Sequence, residues 1–103
     1  MSMIRNAYIR KIEKRLERLT GEIDSAKSAA GEIAAEARSV FGQQVDGIRG
    51  KAETVRQRIR EVRAAEASEW GRLKKGVEEA LDDLKRSVDS AVQWLRKTGS
   101  DKR

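Results

Sequence analysis

Apolar side chains recur from residue 12 onward at alternating steps of four and three positions. This heptad spacing predicts a long helix with one apolar seam, as in a coiled coil. The phase slips by one residue at Phe41 and Val45, and the pattern then continues to Val62. We expect the first part of the seam to drive self-association. Its members are Ile12, Leu16, Leu19, Ile23, Ala26, Ala30, Ile33, Ala37 and Val40.

A second apolar set begins at Trp70 and keeps helical spacing to Leu95. At 100° per residue this set covers an arc of about 120°, which is typical of a helix that packs on a core. We expect this helix to fold back on the second half of the long one. The residues predicted to pack this hairpin are Val45, Ile48, Val55, Ile59, Val62, Trp70, Leu73, Val77, Leu81, Leu84, Val88 and Leu95.

Two segments compete for the turn between these helices. Residues 42–50 contain three glycines and an Asp-Gly dipeptide, whereas Ser68 can cap a new helix after residues 64–67. Charge favours the later position, because residues 41–65 carry a net +3 and residues 66–95 a net −2. A turn near 64–69 lays these opposite charges side by side. The glycines at 42–50 then predict a kink at most.

These elements predict an all-α fold, an unequal helical hairpin in one domain over residues 1–97. The long helix spans about 3–65, the turn about 65–68 and the antiparallel helix about 69–97, with a disordered tail at 98–103. The short helix covers only the second half of the seam. The uncovered half is too long an apolar stripe to face water. We therefore expect a coiled-coil homo-oligomer, most simply a dimer.

Composition argues against catalysis. The chain has 103 residues, 39% of them charged, and contains no histidine and no cysteine, the usual activated bases and nucleophiles. The spacing of Gly42 and Gly47 lacks the Lys and Ser/Thr of a phosphate-binding loop. The acidic pairs at 78–79 and 82–83 are expected on a solvated helix face rather than around a metal. We predict a protein that is not an enzyme and that needs no cofactor, metal or small-molecule substrate.

Charge and aromatic residues suggest three kinds of partner. The net charge is +6, but basic and acidic blocks alternate along the chain, which favours register-specific self-pairing over nucleic-acid binding. Trp94 falls at the edge of the apolar arc of its helix and is a possible anchor to a membrane surface. The N-terminal sequence lacks the apolar core of a signal peptide, so we expect a cytoplasmic protein.

Short segments resemble a known family. They are Ala7–Tyr8, Glu22–Asp24 with Lys27, and Trp70-x-x-Leu73-Lys74-x-Gly76-Val77-Glu78-x-Ala80. Together they look like the small bacterial coiled-coil proteins described as apolipoprotein-like stress-response proteins. This chain departs from the family in having Leu81 where a large aromatic residue is common, and in the glycines at 42, 47 and 50. The resemblance implies an all-helical, stress-linked protein without catalytic residues.

Three functional hypotheses follow in order of preference. The first is a non-enzymatic, self-associating helical protein with a stress-linked protective or scaffolding role. The second is an amphipathic helical protein that reversibly coats a membrane or another apolar surface. The third is a non-specific nucleic-acid binder.

Overall fold

The computed structural model describes residues 2–100 and folds them into three long helices. Helix α1 spans Ser2–Ala29 and ends in a short 3-10 turn at Ala30–Glu32. Helix α2 spans Ala35–Ala64, and helix α3 spans Trp70–Ser100. These residues contain no strand, so the all-α class predicted from the apolar spacing is confirmed.

The helices form an up-down-up bundle. The Arg5 Nη1 donates to the carbonyl oxygen of Ala65 at 2.6 Å, which joins the start of α1 to the end of α2. The Tyr8 hydroxyl donates to the carbonyl oxygen of Lys74 at 3.3 Å, which joins the start of α1 to the start of α3. Helix α2 is therefore antiparallel to both of its neighbours. The bundle is a rod of 56 × 18 × 15 Å.

The predicted unbroken helix over about 3–65 is wrong, because residues 30–34 reverse the chain. Ile33 (φ −94°, ψ 170°) and Ala34 (φ −58°, ψ 150°) have extended backbones between the two helices. The reversal sacrifices a few helical hydrogen bonds, each worth about 0.5–1.5 kcal/mol net. In return, the large apolar side chains of α1 are buried, at about 1.5–3 kcal/mol each. Burial outweighs helix continuity.

The other boundaries follow the sequence more closely. The chain reverses at residues 65–69, the later of the two predicted positions, where the amides of Glu69 and Trp70 both donate to the carbonyl oxygen of Glu66. Helix α2 runs through 42–50 without interruption, so the chain does not turn there. The predicted disordered tail from Thr98 is wrong for residues 98–100, which continue α3, and residues 101–103 lie outside the described part of the chain.

The core is a single apolar column along the rod. None of the described buried residues is polar or charged. Helices α2 and α3 approach each other along more of their length than either approaches α1. The buried members contributed by α1 are Ile9, Ile12, Leu16, Leu19 and Ile23. The seam of α1 is therefore covered by its own chain.

We expect Ile12→Ala to lower the free energy of unfolding of the monomer by about 2–5 kcal/mol, because it leaves a cavity where Ile12 is 2% exposed. Urea unfolding followed by circular dichroism measures the loss. Val40→Ala is the control, since Val40 is 45% exposed and its loss should stay within about 0.5 kcal/mol. A wild-type stability for Ile12→Ala would mean that α1 does not pack on its own chain.

Candidate binding surfaces

The outer side of α1 carries a group of cations that we call the α1 cationic face. All of its members are exposed. At 100° per residue they fall within about 100° of the helix circumference, on the side opposite the buried seam. The members of the face are Arg10, Lys11, Lys14 and Arg18.

The cationic face is not neutralised by neighbouring side chains. Among residues 2–100, none of its four members forms an ion pair, although Glu17 lies at its edge. Two cations elsewhere are paired across helices: Arg63 with Glu13 at 3.2 Å, and Lys51 with Asp83 at 3.0 Å. The bundle thus leaves its densest unpaired positive charge on α1.

Two large apolar side chains adjoin the cationic face. Met3 is 85% exposed and Ile4 is 74% exposed, one to two turns before Arg10 on the same outer side of α1. Fully exposed large apolar residues are otherwise scarce in the described chain, where only Val40 is comparable at 45%. The end of α1 therefore presents apolar and cationic groups together.

An aromatic cluster fixes this end of α1 to α3. The rings of Tyr8 and Trp70 meet edge to face at 5.8 Å, and the Lys74 Nζ lies 5.0 Å from the centre of the Tyr8 ring. The single hydroxyl proton of Tyr8 is shared between the Lys74 carbonyl oxygen and Glu78 Oε2, which is nearer at 3.1 Å. Burial, together with this bond and the charge of Glu78, raises the pKa of Tyr8 well above its usual value, so the phenol stays protonated. We call this cluster of Tyr8, Trp70, Lys74 and Glu78 the aromatic clamp, because it holds the start of α1 against α3.

Trp94, the possible membrane anchor, packs inside the bundle. Its indole is half-buried and stacks on the ring of Phe41 in α2, with centroids 6.3 Å apart and planes 7° from parallel. Anchoring would require the indole to leave this stack. The most exposed large apolar side chains are instead Met3 and Ile4, at the start of α1.

A groove of about 820 Å³ runs between the second halves of α1 and α3. On α1 it is lined by small residues, among them Gly21, Ser25 and Ala29, and on α3 by Val92 and Leu95. Small side chains leave space because they cannot fill the gap between two helices. Three charged residues, Glu22, Asp89 and Arg96, also line the groove.

The predicted self-association seam lies mostly inside the chain. Of its nine members, Ala26 and Ala37 are half-buried and only Val40 is exposed. The other six are buried: Ile12, Leu16, Leu19, Ile23, Ala30 and Ile33. Of the residues predicted to pack the hairpin, Trp70 and Leu73 are half-buried and the rest are buried: Val45, Ile48, Val55, Ile59, Val62, Val77, Leu81, Leu84, Val88 and Leu95.

Sequence reasoning missed two residues that the fold uses, Ile9 and Tyr8, and one exposed apolar pair, Met3 and Ile4. Ile9 belongs to the core and precedes Ile12 by three positions, so the heptad spacing could have found it. Tyr8 was noticed only as part of a resemblance. Met3 and Ile4 lie outside the apolar spacing, and their position on the outer side of the helix was the available signal.

Within 2–100, no three acidic side chains come together where a metal ion could bind. None of the helices in this part of the chain is both long and apolar enough to cross a membrane.

Comparison with protein-family models, curated proteins and solved structures gives no match to this chain. The resemblance to coiled-coil stress-response proteins therefore stays a prediction.

We expect Tyr8→Ala to lower the free energy of unfolding by about 2 kcal/mol, because it removes the ring from the contact with Trp70. Tyr8→Phe keeps the ring and loses only hydroxyl bonds near solvent, so it should cost less than about 1 kcal/mol. Thermal unfolding of both variants separates ring packing from hydrogen bonding. An equal loss of stability in the two variants would mean that the hydroxyl bonds, and not the packing of the ring, hold α1 against α3.

Proposed function

We propose that this protein is a non-enzymatic helical bundle that binds reversibly to anionic membrane surfaces through the outer side of α1. The observation that carries the proposal is the joint exposure of Met3 and Ile4 beside four unpaired cations. Cations attract anionic headgroups, and apolar side chains enter the boundary between headgroups and acyl chains. The proposal places the protein in the cytoplasm, where membrane leaflets carry anionic lipids.

The expected strength fits reversible binding. Each Lys or Arg held near an anionic leaflet contributes about 1 kcal/mol at physiological salt. A large apolar side chain that is fully transferred out of water contributes about 1.5–3 kcal/mol, and Met3 and Ile4 would be only partly transferred. The sum amounts to a few kcal/mol after the cost of immobilisation, so neither contribution suffices alone.

Two observations favour the outer side of α1 over the other surfaces of the bundle. The exposed side of α3 carries Glu79 and Asp82, which anionic lipid would repel. The apolar seam expected to pair two chains is covered within one chain, which reduces the apolar area available to a partner. Self-association through an exposed seam, with a stress-linked role, stays a prediction that this packing does not favour.

We expect Lys11→Gln/Lys14→Gln to reduce binding to phosphatidylserine-containing vesicles by about 30-fold, because two cations are lost at about 1 kcal/mol each. Flotation at physiological salt measures the bound fraction. Lys75→Gln/Arg86→Gln is the matched control: it removes the same charge from the exposed outer side of α3 and should leave most binding intact. Equal losses in the two variants would mean that net charge alone, and not the α1 face, attracts the vesicles.

We expect Met3→Ser/Ile4→Ser to weaken vesicle binding by at least tenfold while leaving binding to duplex DNA unchanged. Both side chains are exposed, so the stability of the bundle should not change. Nucleic acid binds cations through its phosphates, and this binding does not require the apolar side chains of Met3 and Ile4. Flotation and DNA titration on one preparation compare the two. An affinity for DNA that is higher than the affinity for vesicles and unchanged by the substitution would favour the nucleic-acid hypothesis instead.

A further inference from the structure

The break between α1 and α2 has the composition of a helix. Residues 29–35 read Ala-Ala-Gly-Glu-Ile-Ala-Ala and contain no proline. No described residue has a positive φ, so Gly31 does not end α1 with the left-handed turn that commonly terminates helices. No side chain caps the start of α2. The break therefore consists of a 3-10 turn and two extended residues, Ile33 and Ala34, without a left-handed glycine stop or a side-chain cap on α2.

The apolar spacing also continues across the break without a change of register. Ile23, Ala26, Ala30, Ile33 and Ala37 follow one another at steps of three and four, in one heptad register across both helices. A continuous helix would therefore carry an uninterrupted seam from α1 into α2. In the bundle this register brings no benefit, because the chain reverses within it.

The contacts that α1 makes can form equally with a second copy. Its polar and aromatic contacts lie near its start, where Arg5 binds Ala65, Tyr8 meets Trp70 and Glu13 pairs with Arg63. The connection between the helices is short, and short connections that can straighten favour exchange of an element between identical chains. Val40, a heptad residue left 45% exposed beside the break, would gain a neighbour where the two straightened segments cross.

We propose that two copies of this chain exchange α1. Residues 30–34 straighten into helix, and α1 and α2 become one helix over residues 2–64, about 95 Å long at 1.5 Å per residue. Each α1 packs on the α2–α3 pair of the other copy. The exchanged dimer presents two α1 cationic faces, one at each end. The exchange does not depend on membrane binding, although two faces on one particle would raise avidity if that proposal holds.

The backbone offers a substitution that permits the bundle and forbids the straightened form. Ala34 has φ −58°, which suits proline, and the preceding Ile33 is extended, as a residue before proline prefers. Ala34→Pro therefore fits the bundle. In a continuous helix, the same proline lacks the N–H for a helical hydrogen bond and clashes with the preceding turn.

Sedimentation equilibrium of the full chain from micromolar to millimolar concentration tests the exchange. We expect a concentration-dependent dimer for the wild type and a monomer for Ala34→Pro at every concentration. Glu66→Pro, at the turn between α2 and α3, is the control and should dimerise as the wild type does, with folding checked by circular dichroism. A wild type that stays monomeric at millimolar concentration overturns the proposal. So does a dimer that Ala34→Pro leaves unchanged, because intact bundles would then be docking.

Cross-linking identifies the exchanged partner directly. The natural chain has no cysteine, so Glu13→Cys and Arg63→Cys each carry a single thiol. In a mixture of the two variants, a short bis-maleimide should join position 13 of one copy to position 63 of the other, because these residues pair at 3.2 Å across α1 and α2. Adding Ala34→Pro to both variants should abolish this product. Links only between like positions, or equal yield with the proline, contradict the exchange.

Discussion

The structure depends on burying the apolar side of α1. Ile9, Ile12, Leu16, Leu19 and Ile23 form a stripe that must be covered, and the chain meets this need by turning back at residues 30–34. No favourable turn sequence drives that reversal. The break forms because burial of several large side chains outweighs the few helical hydrogen bonds that it costs. Every later feature of the bundle follows from α1 lying against its own chain.

The same packing determines what the surface can do. Once the seam of α1 faces inward, its cations face outward, because seam and cations lie on opposite sides of one helix. The aromatic clamp of Tyr8 and Trp70 holds this end in place, while small residues in the second half of α1 leave a groove against α3. Tight packing thus coincides with the cationic half of α1. The looser half lies next to the break.

Apolar spacing predicted which residues are buried but not what covers them. The steps from Ile12 to Ile33 are equally suited to a partner chain and to a helix of the same chain, so the pattern alone could not distinguish a dimer from a bundle. The reversal at 65–69 was predictable, since Ser68 and the opposite net charges of the flanking segments indicate it. The break at 30–34 was not, because alanine-rich sequence without proline reads as helix. Val40 is exposed because the core takes the larger Phe41 beside it.

The cations of the α1 face were visible as a basic segment, but their lack of ion pairs depends on tertiary packing. Arg63, for instance, is equally basic in the sequence and is neutralised by Glu13 only because α1 and α2 are antiparallel. Small-angle X-ray scattering of dilute protein is the most direct test of this packing. We predict the mass of one chain, a radius of gyration near the Cα value of 16.4 Å and a longest dimension near 56 Å plus side chains and hydration. A particle about 90 Å long with the mass of one chain, the length of an unbroken helix over residues 3–65 at 1.5 Å per residue, would contradict the account.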